Sequence, residues 1–170
     1  TNGEGVVQNY KTAVKWYTLA AAQGNGRAQN SLGFMYTNGE GVVQNYKTAV
    51  KWYTLAAEQG LAKAQINLGF MYGNGNGVVQ NYKTAVKWYT LAAEQGHAKA
   101  QYNIGYMYVM GQGVIQDNIY AHMWWNIAAS SGESDAAKNR TIVEKNMTTA
   151  DISKAQELAR QCVNKNYKDC

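Results

Sequence analysis

An all-α superhelical solenoid, built of about four helical hairpins and closed by a C-terminal capping helix, is the architecture this 170-residue sequence encodes. Three features lead to it. A 36-residue unit recurs, each unit carries two helix-patterned segments, and glycine punctuates every unit at the same places. Residues 1–24, 37–60 and 73–96 are nearly identical, the first two stretches differing only at Ala22 and Glu58. A diverged copy, 109–132, keeps Gly111, Gly113, Val114, Gln116, Ala121, Trp124, Ala128, Ala129 and Gly132 in register.

The segment NYKTAVKWYTLAAEQG is the longer helix of each unit. Lys11, Lys15, Thr18 and Ala22 fall on one polar stripe, while Ala13, Trp16, Tyr17, Ala20 and Ala21 form a broad apolar face. Gly24, Gly60 and Gly96 end these helices. A shorter helix follows, as in Ala62 to Tyr72, where Ala64, Leu68, Met71 and Tyr72 share a side. A mid-helix glycine costs about 1 kcal/mol relative to alanine, so its return at Gly33, Gly69 and Gly105 predicts close helix packing there. Neither helix buries its apolar face alone, which requires consecutive hairpins to stack. The connecting loops, NGEGVVQN and its copies, hold a G-x-G pair that suits tight turns. They follow a helix rather than a strand and lack the third glycine of a dinucleotide fingerprint.

The repeat array spans 1–132, with units near 1–24, 25–60, 61–96 and 97–132, the first lacking its first helix. Residues 133–170 read as a helical cap. A helix near Ser134 to Lys145 precedes a capping-box start, Thr148 with Asp151, flanked by a Met147/Ile152 hydrophobic staple. Ile152, Ala155, Ala159, Cys162 and Val163 mark the apolar side of the final helix, and Lys154, Glu157 and Arg160 its exposed side. The other end carries no such cap. The chain begins midway through a unit, so an upstream segment is expected, and apolar surface from about Tyr10 onward is a candidate for self-association.

Composition narrows the function. With 46% hydrophobic and 16% charged residues the chain reads as folded, and no apolar run approaches the roughly 20 residues a membrane span needs. The net charge of +5 comes largely from lysines copied with the repeat and does not mark a dedicated nucleic-acid surface. Cys162 and Cys170 sit together at the C-terminus, suiting a local disulfide and an oxidising compartment; two inert thiols are the alternative. His97 and His122 are the only histidines, too few for a multi-histidine metal site. Trp124 and Trp125, with Met123, occupy the register of the repeated Trp-Tyr pair and read as core.

From Ala62 to Gly96 the sequence A-x-A-Q-x-N-L-G-x-M-Y-x-x-G-x-G-V-x-Q-x-Y-x-x-A-x-x-W-Y-x-x-A-A-E-Q-G resembles the Sel-1-like repeat, a relative of the tetratricopeptide repeat. The resemblance covers residues 1 to about 132. The stretch from Ala121 to Cys170 also looks like the ending of bacterial members. One departure lies in the loop, where the family often has Pro-Gln-Asp and this chain has Val-Gln-Asn; the acid survives only at Asp117.

The resemblance implies a non-catalytic adaptor, commonly exported, that holds a protein or peptide partner in the concave groove of the solenoid, with no cofactor. Carried over by position, the groove selects Arg27, Asn30 and Phe34, then Lys63, Ile66 and Phe70, then Lys99, Tyr102 and Tyr106. These give one cationic row and two mixed apolar rows, complementary to a peptide with apolar anchors and some acidic groups. The opposite stripe, Lys11/Lys15, Lys47/Lys51 and Lys83/Lys87, reads as a solvated face, with nucleic acid or an anionic membrane as the alternative. Some cysteine-rich relatives are linked to β-lactam binding or cleavage. No S-x-x-K element is present here, since Ser31, Ser130, Ser131, Ser134 and Ser153 all lack Lys three positions on, and no catalytic residue is assigned.

Overall fold

The computed structural model describes residues 9–170. The described residues form nine helices: α1 (Tyr10–Ala22), α2 (Gly26–Asn38), α3 (Tyr46–Glu58), α4 (Ala62–Asn74), α5 (Tyr82–Ala93), α6 (Ala98–Met110), α7 (Asn118–Ser130), α8 (Ser134–Glu144) and α9 (Thr149–Asn164). There is no strand among them. Each of α1 to α8 packs on its neighbour in the chain, so α2/α3, α4/α5 and α6/α7 are successive hairpins. The loop at residues 1–8, first of its kind in the sequence, lies outside the described residues.

Short-range hydrogen bonds explain why each helix starts where it does. Asn9, Asn25, Asn45 and Asn81 cap α1, α2, α3 and α5, each accepting from the N–H three residues on at 2.9–3.0 Å. Asp117 caps α7 through Ile119 and Tyr120 N–H, which is the structural role of the one loop acid that follows the family pattern. The loops are tied by a repeated glutamine: Gln44, Gln80 and Gln116 donate to the carbonyls of Thr37, Gly73 and Val109 at 2.7–2.8 Å, relieving the exposed C-terminal carbonyls of α2, α4 and α6. The second loop glycine has a different duty. Gly41 and Gly113 (φ +71° and +76°) rest on the first turn of the helix one repeat back, where an added Cβ would come within 2.5 Å of the Tyr10 or Tyr82 carbonyl carbon.

The mid-helix glycines are packing sites, as their recurrence predicts. A Cβ on Gly33 would lie 2.5 Å from the Tyr53 ring, on Gly69 2.7 Å from Tyr89, and on Gly105 2.6 Å from the Trp125 indole. Burial accordingly pushes the Tyr53 and Tyr89 hydroxyls up, although Thr37 donates to Tyr53 at 3.3 Å and partly offsets it. Trp52 and Trp88 reach backward onto the cores of the preceding repeats. In α1 the aromatic pair of the apolar face is open instead: Trp16 is 67% exposed, and Tyr17 is exposed with it.

Buried glutamines form a second tie between repeats that the sequence reading did not find. Gln29, Gln65 and Gln101 are buried and donate to the carbonyls of Ala21, Ala57 and Ala93 at 3.2–3.4 Å. Gln59 and Gln95 then donate to the carbonyl oxygens of Gln29 and Gln65, at 2.7 and 2.9 Å, across 30 residues. The series breaks at the next step. Position 131 is serine where 59 and 95 are glutamine, and Gln101 Oε1 is left buried without a partner.

The cap folds back. α8 and α9 both pack on α7, and α9 covers Trp124 and Ile127 with Ala159 and Cys162. Thr148 and Asp151 form the predicted capping box. Val163, expected on the apolar side, is exposed, because the chain beyond it turns inward and takes that place. Cys162 and Cys170 are disulfide-bonded with Cα atoms 5.4 Å apart, Tyr167 lies against Gly96, and Lys168 pairs with Glu94 at 3.0 Å. The C-terminal hook thus grips the α5–α6 turn. His122 is buried in α7 and pairs with Glu144 of α8 at 2.8 Å, fastening the two helices.

Two stability measurements test these ties. Helix propensity alone says that Gly69→Ala stabilises by about 1 kcal/mol; the Tyr89 ring says that it destabilises by about 1–3 kcal/mol. Thermal unfolding is expected to show a lowered Tm. Ser131→Gln is expected to raise stability by about 1 kcal/mol by giving Gln101 its missing donor; an unchanged Tm would show that the gap is not felt.

Candidate partner-binding face

α2, α4 and α6 present their solvent side in the same register, because each is seated on the second helix of its own hairpin through its glycine. The nine residues selected from the sequence separate into three groups on this surface. Phe34, Phe70 and Tyr106 are the open ones, 50%, 51% and 45% exposed, one on each helix at one-repeat spacing. Half-exposed aromatic rings leave apolar area in water at roughly 25 cal/mol for each Å².

Tyr102 belongs partly to the interior. Its hydroxyl accepts from Asn139 at 3.1 Å, its ring centroid lies 6.4 Å from that of Trp125, and its carbonyl accepts from Trp125 Nε1 at 3.0 Å. Ile66 packs against the core below α5 and α6, and Asn30 accepts from Asn67 at 3.1 Å. These three shape the floor of the surface more than its rim. Around Tyr102 and Tyr106, with Phe70, Tyr82 and Asn103, there is a cleft of about 270 Å³. A second cleft, about 360 Å³, lies between α1 and α2 beside Tyr10, Tyr17 and Phe34.

The cationic row is uneven. Arg27 and Lys63 border a third, open cleft of about 550 Å³ together with His97. Burial and the neighbouring Lys63 charge push the His97 imidazole below its ordinary value, so at neutral pH the charge there comes from Arg27 and Lys63. Lys99 is more occupied, 3.9 Å from Glu133 and 4.7 Å above the Tyr102 ring. α4 and α6 start at Leu61 and His97 with no side-chain cap, leaving first-turn N–H groups to solvent beside these cations.

One residue escaped the sequence reading. Ile142 on α8 stands 36 residues after Tyr106 and is 60% exposed, extending the open row by one position. The signal was the unbroken 36-residue count, hidden because α8 otherwise departs from the repeat. No group of three or more His, Cys, Asp or Glu side chains is arranged to hold a metal among the described residues.

Stacked hairpins that hold one face in fixed register, with apolar side chains displayed along it, define a helical repeat protein of the scaffold type. The chain belongs to the Sel1 repeat family, whose pattern matches residues 1–25, 26–61, 62–97 and 98–133. Members of that family are generally protein-interaction scaffolds. Among solved structures, it is similar to a protective antigen of uropathogenic Escherichia coli that displays the SLR fold, at 33% identity and a TM-score of 0.90 over 98% of this chain and 37% of the antigen. A Sel1 repeat protein from Oxalobacter formigenes is 39% identical, with a TM-score of 0.68 over 81% of this chain and 59% of that one. Cysteine rich protein B of Helicobacter pylori shares the fold at 23% identity, with a TM-score of 0.61 over 80% of this chain and 98% of its own. The chain thus spans less than two thirds of the length of each of the first two relatives. No curated protein matches the sequence.

Proposed function

We propose that the protein is a non-catalytic adaptor that holds a protein or peptide partner along the surface of α2, α4 and α6. The observation that carries this reading is the row Phe34, Phe70 and Tyr106, three half-exposed aromatics at identical positions of consecutive repeats. Aromatic side chains of this kind are typical binding hot spots. A peptide lying across successive first helices meets an apolar anchor point at every repeat, and Arg27 and Lys63 at the edge favour acidic groups on it. The disulfide at the C-terminus supports a periplasmic or secreted setting, where such bonds persist. The E. coli relative's description as a protective antigen fits the same setting.

Panning a random-peptide display library against the protein, followed by titration of the selected peptides, tests the proposal. Phe34→Ala, Phe70→Ala and Tyr106→Ala together are expected to weaken binding by at least about tenfold, while Tm moves little because the side chains are open to solvent. Peptides that bind the triple variant as tightly as the original protein would place the partner elsewhere.

A further inference from the structure

The second helices of the hairpins carry their own repeated stripe on the side away from the core. It reads Lys11-Lys15-Leu19 on α1, Lys47-Lys51-Leu55 on α3 and Lys83-Lys87-Leu91 on α5. On α7 the same positions are Ile119, Met123 and Ile127, and there α9 lies across the helix, burying Met123 and Ile127. Where this chain covers the stripe it is apolar. Where it does not, the stripe is cationic, and none of those six lysines pairs with a carboxylate among the described residues.

The loops add apolar knobs to that charge. Val43, Val79 and Ile115 are 87%, 88% and 89% exposed, the most exposed large apolar side chains described. Their partners in the Val-Val and Val-Ile pairs behave differently: Val78 and Val114 pack inward against the core, which accounts for the first residue of each pair and not the second. The knobs sit among lysines. Gly41 rests on the Tyr10–Lys11 backbone, Gly77 on Tyr46–Lys47 and Gly113 on Tyr82–Lys83. Each knob therefore follows, by two residues, a glycine seated at one repeat's first lysine, and Val43 and Val79 precede the next repeat's first lysine by four. Lys11, Val43, Lys47, Val79, Lys83 and Ile115 alternate along one edge, with Tyr10 and Tyr46 partly exposed beside them. Two acids lie in these described loops: Glu40, replaced in the later copies by Asn76 and Gln112, and Asp117, whose carboxylate is engaged in capping α7.

We propose that this edge is a docking surface for an anionic lipid bilayer, with the lysines on the headgroups and the three aliphatic knobs, flanked by tyrosine, entering the interfacial layer. Charge and apolar side chains together are what peripheral membrane attachment needs, since either alone binds weakly and reversibly. Aliphatic knobs have no use on nucleic acid, where unpaired lysines meet phosphates and stacking calls for aromatic rings. The attachment is peripheral, for no helix among the described residues is long and apolar enough to cross a membrane. It leaves the α2, α4 and α6 surface free, so it stands independently of the peptide-binding proposal.

Co-sedimentation with vesicles of phosphatidylcholine alone, and of phosphatidylcholine with an equal part of phosphatidylglycerol, tests it. The protein is expected to pellet with the anionic vesicles and stay in solution with the neutral ones. Val43→Ser, Val79→Ser and Ile115→Ser together are expected to lower anionic-vesicle partitioning by about tenfold, and Lys11→Gln, Lys47→Gln and Lys83→Gln together by about tenfold or more. All six positions are solvated, and an unchanged Tm verifies the fold of each variant. Absence of binding, equal binding to both vesicle types, or full binding by the serine variant overturns the proposal. So does tighter binding to duplex DNA than to the anionic vesicles when that binding persists in the serine variant, an outcome that assigns the lysines to nucleic acid.

Discussion

An aromatic ring laid against a helical glycine joins the two helices of each repeat, Tyr53 on Gly33, Tyr89 on Gly69 and Trp125 on Gly105. The contact needs two sacrifices, a glycine that weakens its own helix and a large ring that must be buried whole, and each makes sense only with the other. Because the ring sits hard against the glycine, the first helix of each hairpin has little freedom to slide or rotate against the second. The register of everything on α2, α4 and α6 follows from that restriction. Phe34, Phe70 and Tyr106 sit one residue after the three glycines, on the side turned to solvent.

Much of this was legible in the sequence because a repeat converts tertiary packing into a periodic signal. A glycine that returns every 36 residues inside an amphipathic helix can be read as a contact, and the capping box at Thr148 is local chemistry visible in four residues. The glutamine ties were not legible. Gln59 stands 30 residues from Gln29 at the far end of the same hairpin, Gln29 reaches back to the carbonyl of Ala21 in the preceding repeat, and nothing local distinguishes a buried glutamine that serves a neighbouring repeat from an exposed one. The place of α9 was hidden for a similar reason. Its landing site is written in α7 as Met123 and Ile127, and this becomes meaningful only when these are seen to replace a lysine and a leucine of earlier copies.

The surface was half legible. Counting by 36 selected Phe34, Phe70 and Tyr106, which are exposed on their helices because exposure there follows from register. Tyr102 and Ile66 occupy the equivalent of Asn30, and the longer side chains engage neighbouring helices: the Tyr102 hydroxyl accepts from Asn139 of α8, and Ile66 packs against the core below α5 and α6. Variation at one position among otherwise copied units therefore has two sources here. At the open row it changes what a partner meets, and at the floor it adjusts how two repeats fit.

Two faces with different chemistry result from one packing rule. The first helices offer aromatic rings in register, and the second helices with their loops offer lysines interleaved with aliphatic side chains. A crystal structure of the protein with a peptide selected from a display library distinguishes the roles of the two faces. The packing described predicts a peptide running across α2, α4 and α6, with apolar side chains seated against Phe34, Phe70 and Tyr106. A peptide bound instead along the lysine stripes of α3 and α5, or only on the open apolar face of α1, would contradict it.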